Sequence, residues 1–188
     1  MFIQTESTPN PASLKFLPGQ SVLGEGVADF PTRASAAKSP LALRLFDIDG
    51  VSGVMLGGDF ITVTKSASDW PQLKPMILGA IMEHFTQKLA ILEGEPAKAA
   101  FHEDYDPADE EIVVQIKELL ETRVRPAVAQ DGGDIVFRGF ESKSGTVFLN
   151  LRGSCAGCPS STATLKNGIE NMLRHYIPEV NGVEAVSA

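Results

Sequence analysis

The chain has 188 residues, 43% of them hydrophobic and 21% charged, and carries a net charge of −8 at pH 7. That composition excludes wholesale disorder, and an acidic chain does not draw polyphosphate by its bulk field, so no nucleic-acid partner is expected. The longest apolar run, Met76 to Met82, falls far short of the roughly 18 residues that cross a bilayer, and no membrane partner is expected either.

Charge divides the chain. Residues 1–92 hold 7 basic and 8 acidic residues, residues 93–111 hold 1 and 8, and residues 112–188 hold 8 of each. Almost the whole imbalance therefore lies in one short, proline-containing segment. The expectation is two small domains, 1–92 and 108–188, joined by an acidic linker over 93–107.

In the first part, Phe2 to Glu6 and Leu14 to Leu17 read as short strands around the turn Thr8-Pro9-Asn10-Pro11. Ser35 to Phe46 has helical character, with Pro40 limiting its start. Val54 to Leu56 and Phe60 to Thr64 read as a hairpin about Gly57-Gly58-Asp59. Asp69 caps a helix that begins near Trp70-Pro71, and Leu73, Met76, Ile77, Ala80, Ile81, Phe85 and Leu89 supply its core stripe. No cysteine lies here, and His84 is expected to be structural or exposed. No catalytic constellation is visible.

The second part is clearer. Asp109-Glu110-Glu111 places negative charge in the first turn of a helix. Its apolar stripe runs through Ile112, Val113, Ile116, Leu119, Leu120 and Val124 until Pro126 kinks or ends it. After the turn Asp131-Gly132-Gly133-Asp134, Ile135 to Phe140 and Thr146 to Arg152 form a hairpin joined by Ser142-Lys143-Ser144-Gly145. A last helix carries Leu165, Ile169, Met172, Leu173 and Tyr176 on one side, and Val183 to Val186 closes the sheet. The fold class is α+β: two small domains, each a mixed or antiparallel sheet against helices, the second in the order α-β-β-α-β.

Cys155 and Cys158 are the two cysteines, in the segment Arg152-Gly153-Ser154-Cys155-Ala156-Gly157-Cys158-Pro159. A strand leads in and a helix leads out, with Pro159 suited to the first helical position. Thiols at a helix N-terminus are expected to have a lowered pKa, because amide donors and the helix dipole stabilise thiolate. Small neighbours at Gly153, Ala156 and Gly157 leave room for a bulky inorganic group. Three chemistries fit the pair. A thioredoxin-like dithiol would use the same strand-loop-helix, but too few residues follow for the rest of that sheet. Structural zinc wants four ligands, and His175 stands several turns away. An iron–sulfur cluster commonly takes four thiolates, which two chains would supply.

Asp131-Gly132-Gly133-Asp134, the hairpin, and Gly153-Ser154-Cys155-Ala156-Gly157-Cys158-Pro159-Ser160-Ser161 together resemble the NifU C-terminal, or Nfu-type, domain over about residues 108–188. The opening Met1-Phe2-Ile3-Gln4-Thr5-Glu6-Ser7-Thr8-Pro9-Asn10-Pro11 is similar to the N-terminal Nfu domain over about residues 1–92. The resemblance implies a non-enzymatic iron–sulfur carrier that holds a labile [4Fe-4S] cluster through Cys155 and Cys158. The cluster would bridge a homodimer, come from an upstream scaffold and pass to apo iron–sulfur client proteins. The N-terminal domain would serve partner docking. With no basic or apolar leader ahead of Thr5, a bacterial cytoplasmic location is expected.

Overall fold

The computed structural model describes residues 1–94 and 103–186. The chain forms two compact units, Met1–Lys98 and Ala99–Ala188, each with its own hydrophobic core. The middle of the acidic segment, residues 95–102, lies outside the described residues. Its two ends are bonded: Glu93 N donates to Lys38 O at 2.7 Å, and Glu103 pairs with Lys117.

The first unit is an antiparallel five-stranded sheet of β1 (Gln4–Ser7), β2 (Ser13–Leu17), β3 (Ala28–Phe30), β4 (Val51–Leu56) and β5 (Ile61–Lys65). Its strand order is β1-β2-β5-β4-β3. Cross-strand partners such as Phe16 with Ile61 and Val54 with Val63 share one face. That face packs on α1 (Pro40–Phe46) and α2 (Trp70–Thr86) through Leu41, Leu45, Leu73, Ile77 and Ile81. The predicted helix over Ser35 to Phe46 is broken: a 3-10 turn at Ala34–Ala36 precedes Ser39, whose hydroxyl accepts from Ala42 N and caps α1. Capping by Ser39 with Pro40 at the first position stops the helix from extending backwards. Strand β3 has no counterpart in the sequence reading.

Helix α2 corrects the predicted stripe. Leu73, Ile77 and Ile81 are buried, but Met76 is 48% exposed, and Leu89 lies beyond the helix end and is 42% exposed. The place of Leu89 at the inner face is taken by His84, which is fully buried. Its Nε2 sits 3.1 Å from Ala90 O, and burial holds its pKa below the usual histidine value. Ser39 Oγ donates to Ile91 O at 2.7 Å, so residues following α2 fold back onto this unit.

The second unit is a mixed sheet in the order β6-β7-β8-β9. Its strands are β6 (Asp104–Tyr105), β7 (Gly133–Glu141), β8 (Thr146–Gly153) and β9 (Gly182–Ala185). Strands β7 and β8 form the predicted antiparallel hairpin, and β6 and β9 add in parallel at its two edges. Helices α3 (Glu110–Leu119), α4 (Arg125–Gln130) and α5 (Pro159–Tyr176) supply Val113, Ile116, Val128, Ile169 and Leu173 to its core. The α+β class and the α-β-β-α-β order stand, with β6 added in front. Pro126 does not end the first helix. The chain passes through a wide π turn at Leu120–Val124, in which Arg125 N donates to Leu120 O, and continues as α4. A proline has no N–H to give the preceding turn, and one wide turn absorbs that loss.

Candidate metal centre

The cysteines lie on the connection from β8 to α5, and its local hydrogen bonds explain its shape. Strand β8 ends at Gly153, whose φ of 60° turns the chain sharply. Cys155 N donates to Arg152 O at 3.2 Å and Ala156 N to Gly153 O at 3.1 Å, which closes a tight turn. Gly157, at a φ of 75°, then redirects the chain into α5. Both positions demand a left-handed backbone that glycine adopts without steric cost.

Cys158 is the N-cap of α5, in extended conformation, and its carbonyl accepts from Thr162 N at 2.9 Å. Its side chain makes no capping bond to the helix amides, and its Sγ lies 3.5 Å from Ser160 Oγ. Thr162 Oγ1 donates to Cys155 O at 3.2 Å and ties the cysteine turn to the helix. Neither thiol is in a disulfide; Cys155 is buried and Cys158 half-buried. Ala156 and Gly157 between them are exposed, and nothing lies within 4 Å of the place a Cβ would occupy at Gly157. The loop is therefore open on its outer side, as room for a bulky inorganic group requires.

The expected thiol activation fails for Cys155. Burial pushes its pKa up to about 11; a hydrogen bond with Ser154 acts the other way, and the charges of Asp131 and Asp134 add to the rise. Cys155 precedes the first helical residue by four positions, and its 6% exposure outweighs a dipole that falls off within one turn. A thiol held this way would keep its proton until a bound metal ion displaced that proton.

Sequence reasoning read Asp131-Gly132-Gly133-Asp134 as a turn and as part of the family resemblance, and gave it no role at the cysteines; the structure places it directly beneath Cys155. Ser154, 2% exposed, donates from Oγ to Asp131 O at 2.5 Å and from N to Gly132 O at 3.2 Å. Gly133 pairs with Gly153 across the hairpin, and a Cβ added at Gly133 would run into Cys155 Sγ. Asp134, 3% exposed, faces Arg125. Two acidic residues flanking two glycines was the available signal, but only strand pairing reveals what it touches.

His175 is no ligand. Helix α5 has 18 residues, and a rise of about 1.5 Å per residue puts His175 about 25 Å from Cys158. Its ring packs edge-on against Tyr176. Among the described residues, no group of three or more His, Cys, Asp and Glu side chains could hold a metal ion. One chain thus offers the cysteine pair and no third ligand among those residues.

The scaffold protein Nfu/NifU N-terminal family matches residues 3–88, and the NifU-like domain family matches residues 116–184. The human NFU1 iron-sulfur cluster scaffold homolog, mitochondrial, is 55% identical over 99% of this chain and 72% of its own length. The chain belongs to the Nfu/NifU family of iron–sulfur cluster scaffold proteins. Two Arabidopsis thaliana relatives of this Nfu chain, NifU-like proteins 4 and 5, mitochondrial, are 54% and 53% identical. Each is matched over 98% of this chain, which spans 65% and 67% of their respective lengths. A solution structure of a NifU-like protein from Saccharomyces cerevisiae aligns with 50% of the chain at 26% identity and a TM-score of 0.41.

These relatives overturn the expected bacterial cytoplasmic location, because three proteins more than half identical over nearly the whole chain are named as mitochondrial. A targeting segment is a separable piece of chain, and the body folds alike wherever it is delivered. Among the described residues no helix is long and apolar enough to cross a membrane.

Proposed function

We propose that this Nfu chain carries a labile [4Fe-4S] cluster, ligated by Cys155 and Cys158 of two chains, and delivers it to apo iron–sulfur proteins. The observation that supports this most is the incomplete ligand set: an open loop with two thiols and, among the described residues, no third metal-binding group beside them. A cluster that commonly takes four thiolates is completed by a second copy of the same loop. Each loop also brings a helix N-terminus, whose positive end suits an anionic cluster. The cluster is cargo. It arrives from an upstream scaffold and leaves when client thiolates replace its ligands in turn, so no catalytic residue is needed.

Two other chemistries fit less well. A dithiol oxidoreductase needs an accessible attacking thiol with a depressed pKa, whereas Cys155 is buried and its pKa is raised. A structural zinc would need two further ligands, and among the described residues the loop has none close by. The first unit contains no cysteine, and its role in this reading is partner recognition. Residues 1–92 and 108–188 act as separate domains on either side of the acidic stretch.

Anaerobic reconstitution with iron and sulfide tests the proposal. The expected product holds four iron and four sulfide per pair of chains. Cys155→Ser or Cys158→Ser should abolish both cluster uptake and cluster-dependent dimerisation while leaving the fold intact. A monomer that holds a complete cluster without added small thiols would overturn the bridging model.

A further inference from the structure

The floor beneath Cys155 is held by charge. Asp134 stands one residue into β7, and its carboxylate is buried. It accepts from Arg125 Nε at 2.8 Å on one oxygen and from Arg125 Nη2 at 3.3 Å on the other. Arg125 Nη1 donates to both oxygens of Glu121, at 3.0 and 2.7 Å. The arginine therefore ties the π turn and the first residue of α4 to Asp134 near the start of β7. The π turn at Leu120–Val124 and Pro126 set the direction of α4, which packs against β7 and brings Arg125 to Asp134.

From Asp134 the contacts lead to the ligand thiol. Gly133 precedes it and lies against Cys155 Sγ. Asp131 and Gly132 receive both hydrogen bonds from Ser154, the residue ahead of Cys155. A buried carboxylate without its partner would seek water, and moving Asp134 outward would draw Gly133 and the Ser154 anchors with it.

We propose that Arg125 is a positioning residue for the Cys155 thiol, acting through Asp134 to keep the Asp131–Asp134 turn closed beneath it. The inference rests on the reading of Cys155 as a cluster ligand. Arg125 does two things at once. It fixes the turn geometrically through two parallel hydrogen bonds. It also balances the negative charge of Asp134 next to a loop whose cargo is anionic. A lysine would supply the charge without the fork.

The test uses the full chain, reduced and without cluster, and measures the alkylation rate of each cysteine with iodoacetamide by mass spectrometry. Wild type is compared with Arg125→Lys, Arg125→Met and the double variant Arg125→Met/Asp134→Asn. Thermal melting and cluster loading are followed in parallel. Arg125→Met should raise the Cys155-to-Cys158 alkylation ratio about tenfold, because the turn opens and exposes the buried thiol. Arg125→Lys should fall between it and wild type. The double variant should return towards wild type, since the unpaired carboxylate is gone. An unchanged ratio in folded Arg125→Met, or a double variant as perturbed as the single one, would overturn the proposal. Should Arg125→Met fail to fold, Arg125→Lys decides: a raised ratio supports the positioning role and an unchanged one refutes it. A wild-type chain that loads no cluster while the ratio still responds would overturn the ligand reading and leave the positioning of the thiol supported.

Discussion

Gly133→Ala tests the cradle under Cys155 most directly. Gly133 lies in strand β7 with ordinary strand backbone, so alanine meets no backbone strain there, and the effect is purely one of space. The added methyl would run into Cys155 Sγ and stand 3.2 Å from both Cys155 Cβ and Ser154 Oγ. Three atoms of one short segment would have to move together. That segment is stitched to Asp131 and Gly132 by Ser154, so it cannot yield by a side-chain rotation alone. Overpacking of this kind costs about 1–3 kcal/mol. For a domain of this size each kcal/mol lowers the melting temperature by about 4–8 °C. Circular dichroism on heating, combined with visible absorbance after reconstitution, reads both consequences. The expected result is a lower melting temperature and a larger loss of cluster loading, since the residue displaced is one of the two proposed ligands. Gly168→Ala is the control: it lies inside α5 with nothing within 4 Å of its added Cβ. It should stabilise the second unit by about 0.5–1 kcal/mol and leave loading unchanged. A Gly133→Ala protein that melts and loads like wild type would refute the cradle.

Two further outcomes follow from the cores. His84 is fully buried and its pKa is held below 6.5, first by desolvation, so the unfolded state binds the proton more readily. The stability this neutral ring contributes is present above pH 6.5 and lost as pH falls below it; His84→Gln should flatten the acid limb of a urea-unfolding pH series. Ile77→Ala and Leu173→Ala each remove a fully buried side chain, one from each core, at about 2–5 kcal/mol. If the units unfold separately, each variant shifts one calorimetric transition and leaves the other; a shift of both together would show coupled cores.

Much of the second unit was legible in the sequence because its signals are local. The stripe from Val113 to Val124 follows helical period, the hairpin alternates around Ser142–Gly145, and Pro159 marks a helix start wherever it stands. The Cys-x-x-Cys frame and its small neighbours likewise need no tertiary contact to be seen. Strands β3 and β6, of three and two residues, were not legible, since so short a segment is a strand only by virtue of its neighbour. Met76 and His84 show the same limit on a helix: spacing marked Met76 for the core, yet His84 is the one buried.

Sequence alone determined which residues are chemically capable of holding a cluster: Cys155 and Cys158, placed by glycine and proline at the mouth of a helix. Tertiary structure decided their state. Burial depends on what packs from elsewhere in the chain, and here Gly133 and Asp134 arrive from a strand more than 20 residues upstream. Their arrival leaves Cys155 with a pKa raised to about 11, because desolvation and nearby carboxylates outweigh a dipole that fades within one turn.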